Sequence, residues 1–301
     1  MRAVRVAVEG HWYGGLAESD SYRLIPNPRV EPVDVIASDG WSGLDERAHR
    51  SLALDQGRLL APISRPGKIL CVGLNYRDHI DEQQLELPES PILFSKASTA
   101  VIGPGDPIPL HGITQQVDYE VELAIVIGSR VMGISRDEAL EAVAGYTVIN
   151  DVSARDLQFG DKQWTRGKSL DGFAPIGPAI VSPDEVGDPG TLDVSATVNG
   201  ESRQASNTRQ LIFGVPELVE FCAEAMTLEP GDVIATGTPG GVGVFMDPPS
   251  FLADGDTVMV EVERVGRLTN PVEAPSARSV QNEEADEVPN GQGAVRHGVH
   301  R

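Results

Sequence analysis

Asp118-Tyr-Glu-Val-Glu-Leu-Ala-Ile-Val-Ile127 reads as a β-strand, with Val121, Leu123, Ile125 and Ile127 on one face and carboxylates opening the other. Strand side chains repeat with period two, so Glu120 and Glu122 point the same way, their α-carbons about 6.5–7 Å apart. That gap suits one shared cation. Two carboxylates at the start of a buried strand each lose solvation and repel the other, and a divalent ion removes that cost. A half-exposed antiparallel strand with its charges outward shows the same alternation, so other segments must decide between the two readings.

Several segments supply polar groups that could join this pair. Tyr146-Thr-Val-Ile-Asn-Asp151 is a second apolar strand and delivers Asp151 at its end, where a third carboxylate could meet Glu120 and Glu122. Ser153 to Gln158 reads as a helical turn projecting Arg155 and Gln158 to one side. Lysine is scarce, confined to Lys68, Lys96, Lys162 and Lys168, so Lys168, in a loop between Trp164 and Phe173, stands out. His79 and Glu82 are three apart, a spacing that on a helical turn lets the carboxylate orient the imidazole and raise its basicity; a surface pair has the same spacing. Thr236-Gly-Thr-Pro-Gly-Gly-Val-Gly243 offers backbone donors and the Thr238 hydroxyl to an anion, without the spacing of a nucleotide-binding loop.

Around these segments, residues 1–60 read as a small N-terminal α+β domain, with strands over 1–10 and 20–25 and a short helix over 45–54. The connector Ala61-Pro-Ile-Ser-Arg-Pro-Gly67 marks its end. A strand over 68–74, another over 91–96, a helix over 135–144, a hairpin about Asn199-Gly200, a helix over 211–226 interrupted early by Pro216, and a strand over 254–262 complete a strand-rich α+β pattern. From Ala274 the chain turns polar and aperiodic, as a disordered tail does, and His297 and His300 are too sparse for a metal site.

The net charge of −21 opposes nucleic acid and anionic membrane as partners. No apolar run approaches the roughly 18 residues that span a bilayer, and the N-terminus lacks a signal pattern, so a cytoplasmic enzyme is expected. Cys71 and Cys222 lie in apolar runs and read as buried free thiols.

Gly73-Leu-Asn-Tyr-Arg-Asp-His79, Asp118 to Leu123, Asn150-Asp-Val-Ser-Ala-Arg-Asp156, Gly167-Lys-Ser169, Pro175-Ile-Gly-Pro178 and Thr236 to Gly243 occur in the order and approximate spacing of the fumarylacetoacetate hydrolase family, which this chain resembles over about residues 66–273. The resemblance implies an α+β, mostly β fold built on a mixed rolled sheet, a homodimer, and one Mg²⁺ or Mn²⁺ held by Glu120, Glu122 and Asp151. It implies that Arg155, Gln158, Lys168 and Thr238 bind the carboxylate or enolate oxygen of a small 2-oxo acid, and that His79 with Glu82 activates water. The expected reaction is metal-dependent hydrolysis of a C–C bond in a 2,4-dioxo acid through an enolate. The alternative is decarboxylation of an oxaloacetate-like acid, or isomerisation of an unsaturated 2-oxo dicarboxylic acid, at the same site.

Overall fold

A computed structural model describes residues 1–274, so apart from Ala274 the tail expected from that residue onward, with His297 and His300, lies outside the described residues. The strands that organise the site are β1 (Arg2–Val8), β2 (His11–Ala17), β3 (Ser21–Leu24), β4 (Arg50–Ala53), β5 (Ile69–Gly73), β6 (Ile92–Lys96), β7 (Val121–Ile127), β8 (Val143–Asn150) and β9 (Ala174–Val181). They are followed by β10 (Asp193–Val198), β11 (Glu201–Asn207), β12 (Val233–Ala235), β13 (Thr257–Val262) and β14 (Gly266–Glu273). One mixed 12-stranded sheet has the main order β4-β3-β2-β1-β9-β8-β7-β12-β5-β6, and a 5-stranded sheet carries β11-β10-β13-β14. The α+β, mostly β class is the one the sequence pattern indicates.

Strand β7 lies in the middle of the large sheet and is buried along its whole length. Leu123, Ile125 and Ile127 enter one apolar cluster, which includes the inner faces of the smaller sheet, while Ala124 and Val126 enter a second cluster beneath α1 (Pro32–Arg47). Both faces of the strand are therefore dry. The carboxylates at its beginning sit where neither sheet face opens to water, which removes the solvated-strand reading.

The strands of residues 1–60 do not form a sheet of their own. β1 pairs antiparallel with β9 through Arg2↔Val181 and Ala3↔Ile180, so the N-terminal strands continue the large sheet. The helix expected over 45–54 is displaced: α1 ends at Arg47, and Arg50–Ala53 is strand paired with β3. Pro32 at its first turn and Gly40 (φ 69°) within it hide α1 from a periodicity reading.

The helix expected over 135–144 is reduced to turns and one 3₁₀ turn at Ala139–Ala142, because Val143 and Ala144 already belong to β8. Gly145 is not a helix stop. A Cβ there would meet Val181 O at 2.3 Å, so the glycine allows β9 to approach β8. Pro216, expected as an interruption, stands in the first turn of α5 (Val215–Ala225), where a missing N–H costs nothing. The hairpin at Asn199-Gly200 joins β10 to β11 as its turn residues require. The helices α2 (Arg77–Gln83), α3 (Arg155–Asp161) and α4 (Trp164–Lys168) follow strand ends and surround one mouth of the large sheet.

Candidate active site

The antiparallel register of β7 and β8 sets Val121 opposite Asn150, and just beyond it Asp151 N donates to Glu120 O at 2.9 Å. Asn150 Oδ1 accepts from Glu120 N at 3.0 Å, which clamps the crossing. Glu120, Glu122 and Asp151 thereby converge, offering one oxygen each within 4.8 Å of one another, all three residues buried. Sheet pairing between distant segments makes this cluster.

Cations surround it on most sides. Lys168 Nζ donates to Glu120 Oε2 (2.7 Å) and Asp151 Oδ2 (2.8 Å), and Arg155 Nη1 lies 2.7 Å from Glu120 Oε1. Arg155 Nε donates to Asp118 Oδ2 at 2.8 Å, and Asp118 also accepts from the N–H groups of Gly243 and Val244. Lys96 Nζ donates to Asp151 Oδ1 at 2.5 Å and to Val152 O at 3.0 Å. Among the described residues Glu122 makes no ion pair; its Oε2 accepts only from Gly237 N, at 2.8 Å. Gly237 has φ +99°, and a Cβ on it would meet Asn75 Cβ at 2.9 Å, so glycine is needed to bring that N–H to the carboxylate.

These contacts divide the carboxylates. Burial would raise the Glu120 carboxyl, but Lys168 and Arg155 overcome it and hold it down at about 2. Burial, and then Asp151 and Glu120 nearby, push Glu122 well above the usual carboxylate range. Burial opposes the charge on Lys168, yet Asp151 and Glu120 raise its pKa and keep it an ammonium. Four buried carboxyl groups thus face three cations, and Glu122, the one without a charged partner, is held towards its neutral form. An all-oxygen donor set with no nitrogen or sulfur ligand fits a hard divalent cation.

The triad opens into a cavity of about 240 Å³ lined by His79, Gln83, Arg155, Gln158, Lys168 and Thr238, together with Glu120, Glu122 and an apolar wall. Gln158 Oε1 accepts from Arg155 Nη1 at 3.0 Å. Thr238 Oγ1 accepts from Gln204 Nε2 at 2.8 Å, leaving its own proton for a ligand, and Gln204 Oε1 accepts from Val121 N. Arg155 Nη2 is buried with no hydrogen-bond partner among the described residues. Such a donor is costly unless a ligand oxygen reaches it.

His79 lies on α2 at the rim and is itself buried. Its Nδ1 is 3.2 Å from Glu82 Oε2 and its Nε2 is 2.9 Å from Gln83 Nε2. An amide nitrogen can only donate, so Nε2 carries the lone pair and Nδ1 the proton directed at Glu82. Glu82 is 28% exposed and accepts from Gly241 N. Burial would raise its carboxyl, but the hydrogen bond from His79 and the Gly241 N–H bring it below the usual range.

Of the expected site residues, His79, Glu120, Glu122, Arg155, Gln158, Lys168 and Thr238 line the cavity, while Asp151 is joined to it through Lys168 and Glu82 through His79. Lys168 is at the end of α4 rather than in a loop. Lys96, Asp118 and Gln204 were missed. Lys96 carried a signal: in a chain with only four lysines, one closing a strand that is otherwise largely apolar needs a buried partner. Asp118 reads in the sequence only as the first residue of a strand, and nothing local marks Gln204.

The model of the fumarylacetoacetate (FAA) hydrolase C-terminal family matches residues 68–273. The chain belongs to the fumarylacetoacetate hydrolase family. Within it, the mitochondrial oxaloacetate tautomerase FAHD2A of Bos taurus is 51% identical over 215 residues, 71% of this chain and 68% of that one. The fumarylacetoacetate hydrolase structure from Exiguobacterium antarcticum superposes with a TM-score of 0.83 at 43% identity, covering 91% of this chain and 100% of that one. The 5-carboxymethyl-2-hydroxymuconate delta-isomerase from Mycobacterium smegmatis gives a TM-score of 0.76 at 40% identity, over 92% and 100%. The fumarylacetoacetate hydrolase family is one of enzymes whose reactions differ on one fold, so the reaction must be argued from the site. Among the described residues no helix is long and apolar enough to cross a membrane.

Proposed function

We propose that the protein catalyses keto–enol exchange of a small 2-oxo acid of the oxaloacetate class, with Mg²⁺ or Mn²⁺ held by Glu120, Glu122 and Asp151. The observation that carries this reading is the 51% identity to an oxaloacetate tautomerase, and the site has the parts the reaction needs. Keto–enol exchange is not itself one of the reactions expected from the sequence, but the likeness favours the expected alternative, a decarboxylase or isomerase with the same metal site, over C–C hydrolysis. When bound, the cation would supply Lewis-acid polarisation of the 2-oxo carbonyl.

The chain's own groups do the rest. Arg155 Nη2, the Thr238 hydroxyl and Gln158 take carboxylate oxygens of the substrate. Lys168 Nζ, a buried ammonium, faces the negative charge that develops on the 2-oxo oxygen as the C3 proton leaves. His79 Nε2 holds the free lone pair on the cavity wall and moves that proton, with Glu82 supporting the imidazolium through Nδ1. Gln83 occupies Nε2 in the structure and has to yield it to the substrate. The homodimer implied by the family resemblance and the cytoplasmic setting expected from the sequence stand as proposals beside it.

Hydrolysis of 2,4-dioxo acids stays as the second reading, favoured by the intact His79–Glu82 pair, which could equally activate water. One experiment separates them. Metal-loaded protein should accelerate loss of the ultraviolet absorbance of enol-oxaloacetate, without matching release of pyruvate, and chelation should abolish the effect. Cleavage of acetylpyruvate to acetate and pyruvate with no action on the enol would establish the hydrolase instead; stoichiometric pyruvate and CO₂ from oxaloacetate would establish a decarboxylase.

A further inference from the structure

The cavity has two unlike ends. Its carboxylates gather at the triad, and among its lining residues the only cations, Arg155 and Lys168, are both there, while His79 and Gln83 stand at the rim. The outer wall is apolar: Phe94, Trp164, Leu85, Phe159 and Phe245 line it. Three of them are held open to solvent, with Phe159 55%, Leu85 48% and Phe245 39% exposed.

The wall is built rather than incidental. Trp164 packs edge-on against Phe94, ring centroids 5.3 Å apart, and it rests on Gly73, where any Cβ would come within 2.3 Å of the indole. The Phe94 ring in turn lies 5.2 Å from Lys168 Nζ, so the apolar wall begins directly beside the ammonium. A substituent on C3 of an acid anchored at Lys168 and Arg155 would project along this wall.

We propose that the outer wall is a subsite for an apolar ring on C3 of the 2-oxo acid, so that aryl-substituted pyruvates are bound in preference to unsubstituted ones. This rests on the enolate reading above only for where the acid is anchored. Burying about 60 Å² of a ring's surface corresponds to roughly tenfold in affinity.

The test is calorimetric titration of the Mg²⁺-loaded full chain with pyruvate and with phenylpyruvate, on the wild type, Phe159→Ala, Phe159→Leu and Leu85→Ala. Phenylpyruvate should bind at least about tenfold more tightly than pyruvate. Phe159→Ala and Leu85→Ala should each cut that ratio severalfold, and Phe159→Leu should keep most of it. Both side chains are largely exposed, so the fold does not depend on them. A ratio near one in the wild type, or a ratio that none of the variants moves, overturns the subsite. Turnover of enol-oxaloacetate, followed on the same preparations, keeps the two proposals apart: it can succeed while the ratio stays at one, and the ratio can hold while it fails.

Discussion

The triad and the His79–Glu82 pair stand in one cavity and are held in opposite ways. Glu120, Glu122 and Asp151 are fixed by strands buried on both faces, and their oxygens are gripped by Lys96, Lys168, Arg155 and backbone N–H groups. His79 and Glu82 ride on a seven-residue helix that ends in a left-handed Gln84 and is followed by the exposed Leu85 and Leu87. The first arrangement resists change because each group is desolvated and its position over-determined. The second can shift at small cost, because few buried contacts hold it. One cavity therefore joins a rigid charge-stabilising end to an adjustable proton-transfer end.

The largest test of that contrast is at the triad. Asp151→Asn should abolish metal uptake, measured by elemental analysis after dialysis, and lower turnover by about 10³-fold or more, because the cation's several kcal/mol of charge stabilisation goes with it. Retention of both metal and activity would remove Asp151 from the ligand set. Glu122→Gln should also lose metal, yet stabilise the metal-free protein by about 1–2 kcal/mol, since it deletes the one carboxylate without an ion pair. A lower melting temperature in the metal-free state would show that Glu122 is compensated in some other way.

Lys96 and Lys168 sharpen the comparison within the rigid end. Lys96 has a side chain wholly excluded from solvent and does not line the cavity. Lys96→Met should therefore act on stability, costing about 1–3 kcal/mol in chemical denaturation, because Asp151 loses one of its two ammonium partners and keeps Lys168. Lys168→Met should act on the reaction, lowering turnover by about 10²–10³-fold, as loss of a preorganised charge does. Equal effects of the two variants on stability and on rate would erase the distinction.

The smallest effects belong to the rim. His79→Ala should slow proton transfer by about 10²-fold, near the low end for a general base, because water can reach an open rim and substitute. Metal content should not change. Glu82→Gln should cost about tenfold or less, since it keeps a hydrogen-bond acceptor and removes only the charge supporting the imidazolium. A wild-type rate for His79→Ala would leave the pair as a structural contact and move the proton-transfer role to another group.

Much of this site was legible because its residue types are unusual where they stand. Two glutamates two apart at the head of an apolar strand, an aspartate closing another, and a lysine in a lysine-poor chain each violate the local pattern, and a violation of pattern is what a buried functional group leaves in a sequence. The α+β class was legible for a similar reason, from strand alternation and the Asn199-Gly200 turn. Local periodicity failed where tertiary pairing overrode it: residues 143–144 had helical spacing but lie between neighbouring strands, and residues 50–53 were taken into the sheet by β3.

The sequence by itself determined which groups must escape water and therefore need one another, since the cost of burying a carboxylate or an ammonium is a property of the side chain. Only the tertiary structure decided who meets whom. The pairing of β7 with β8 set Asp151 beside Glu120, the crossing of β6 put Lys96 behind Asp151, and the β10–β11 hairpin brought Gln204 to Thr238 across a separation of 34 residues. Such contacts depend on sheet order and register, which arise from the simultaneous burial of many strands and are written in no single stretch of the chain.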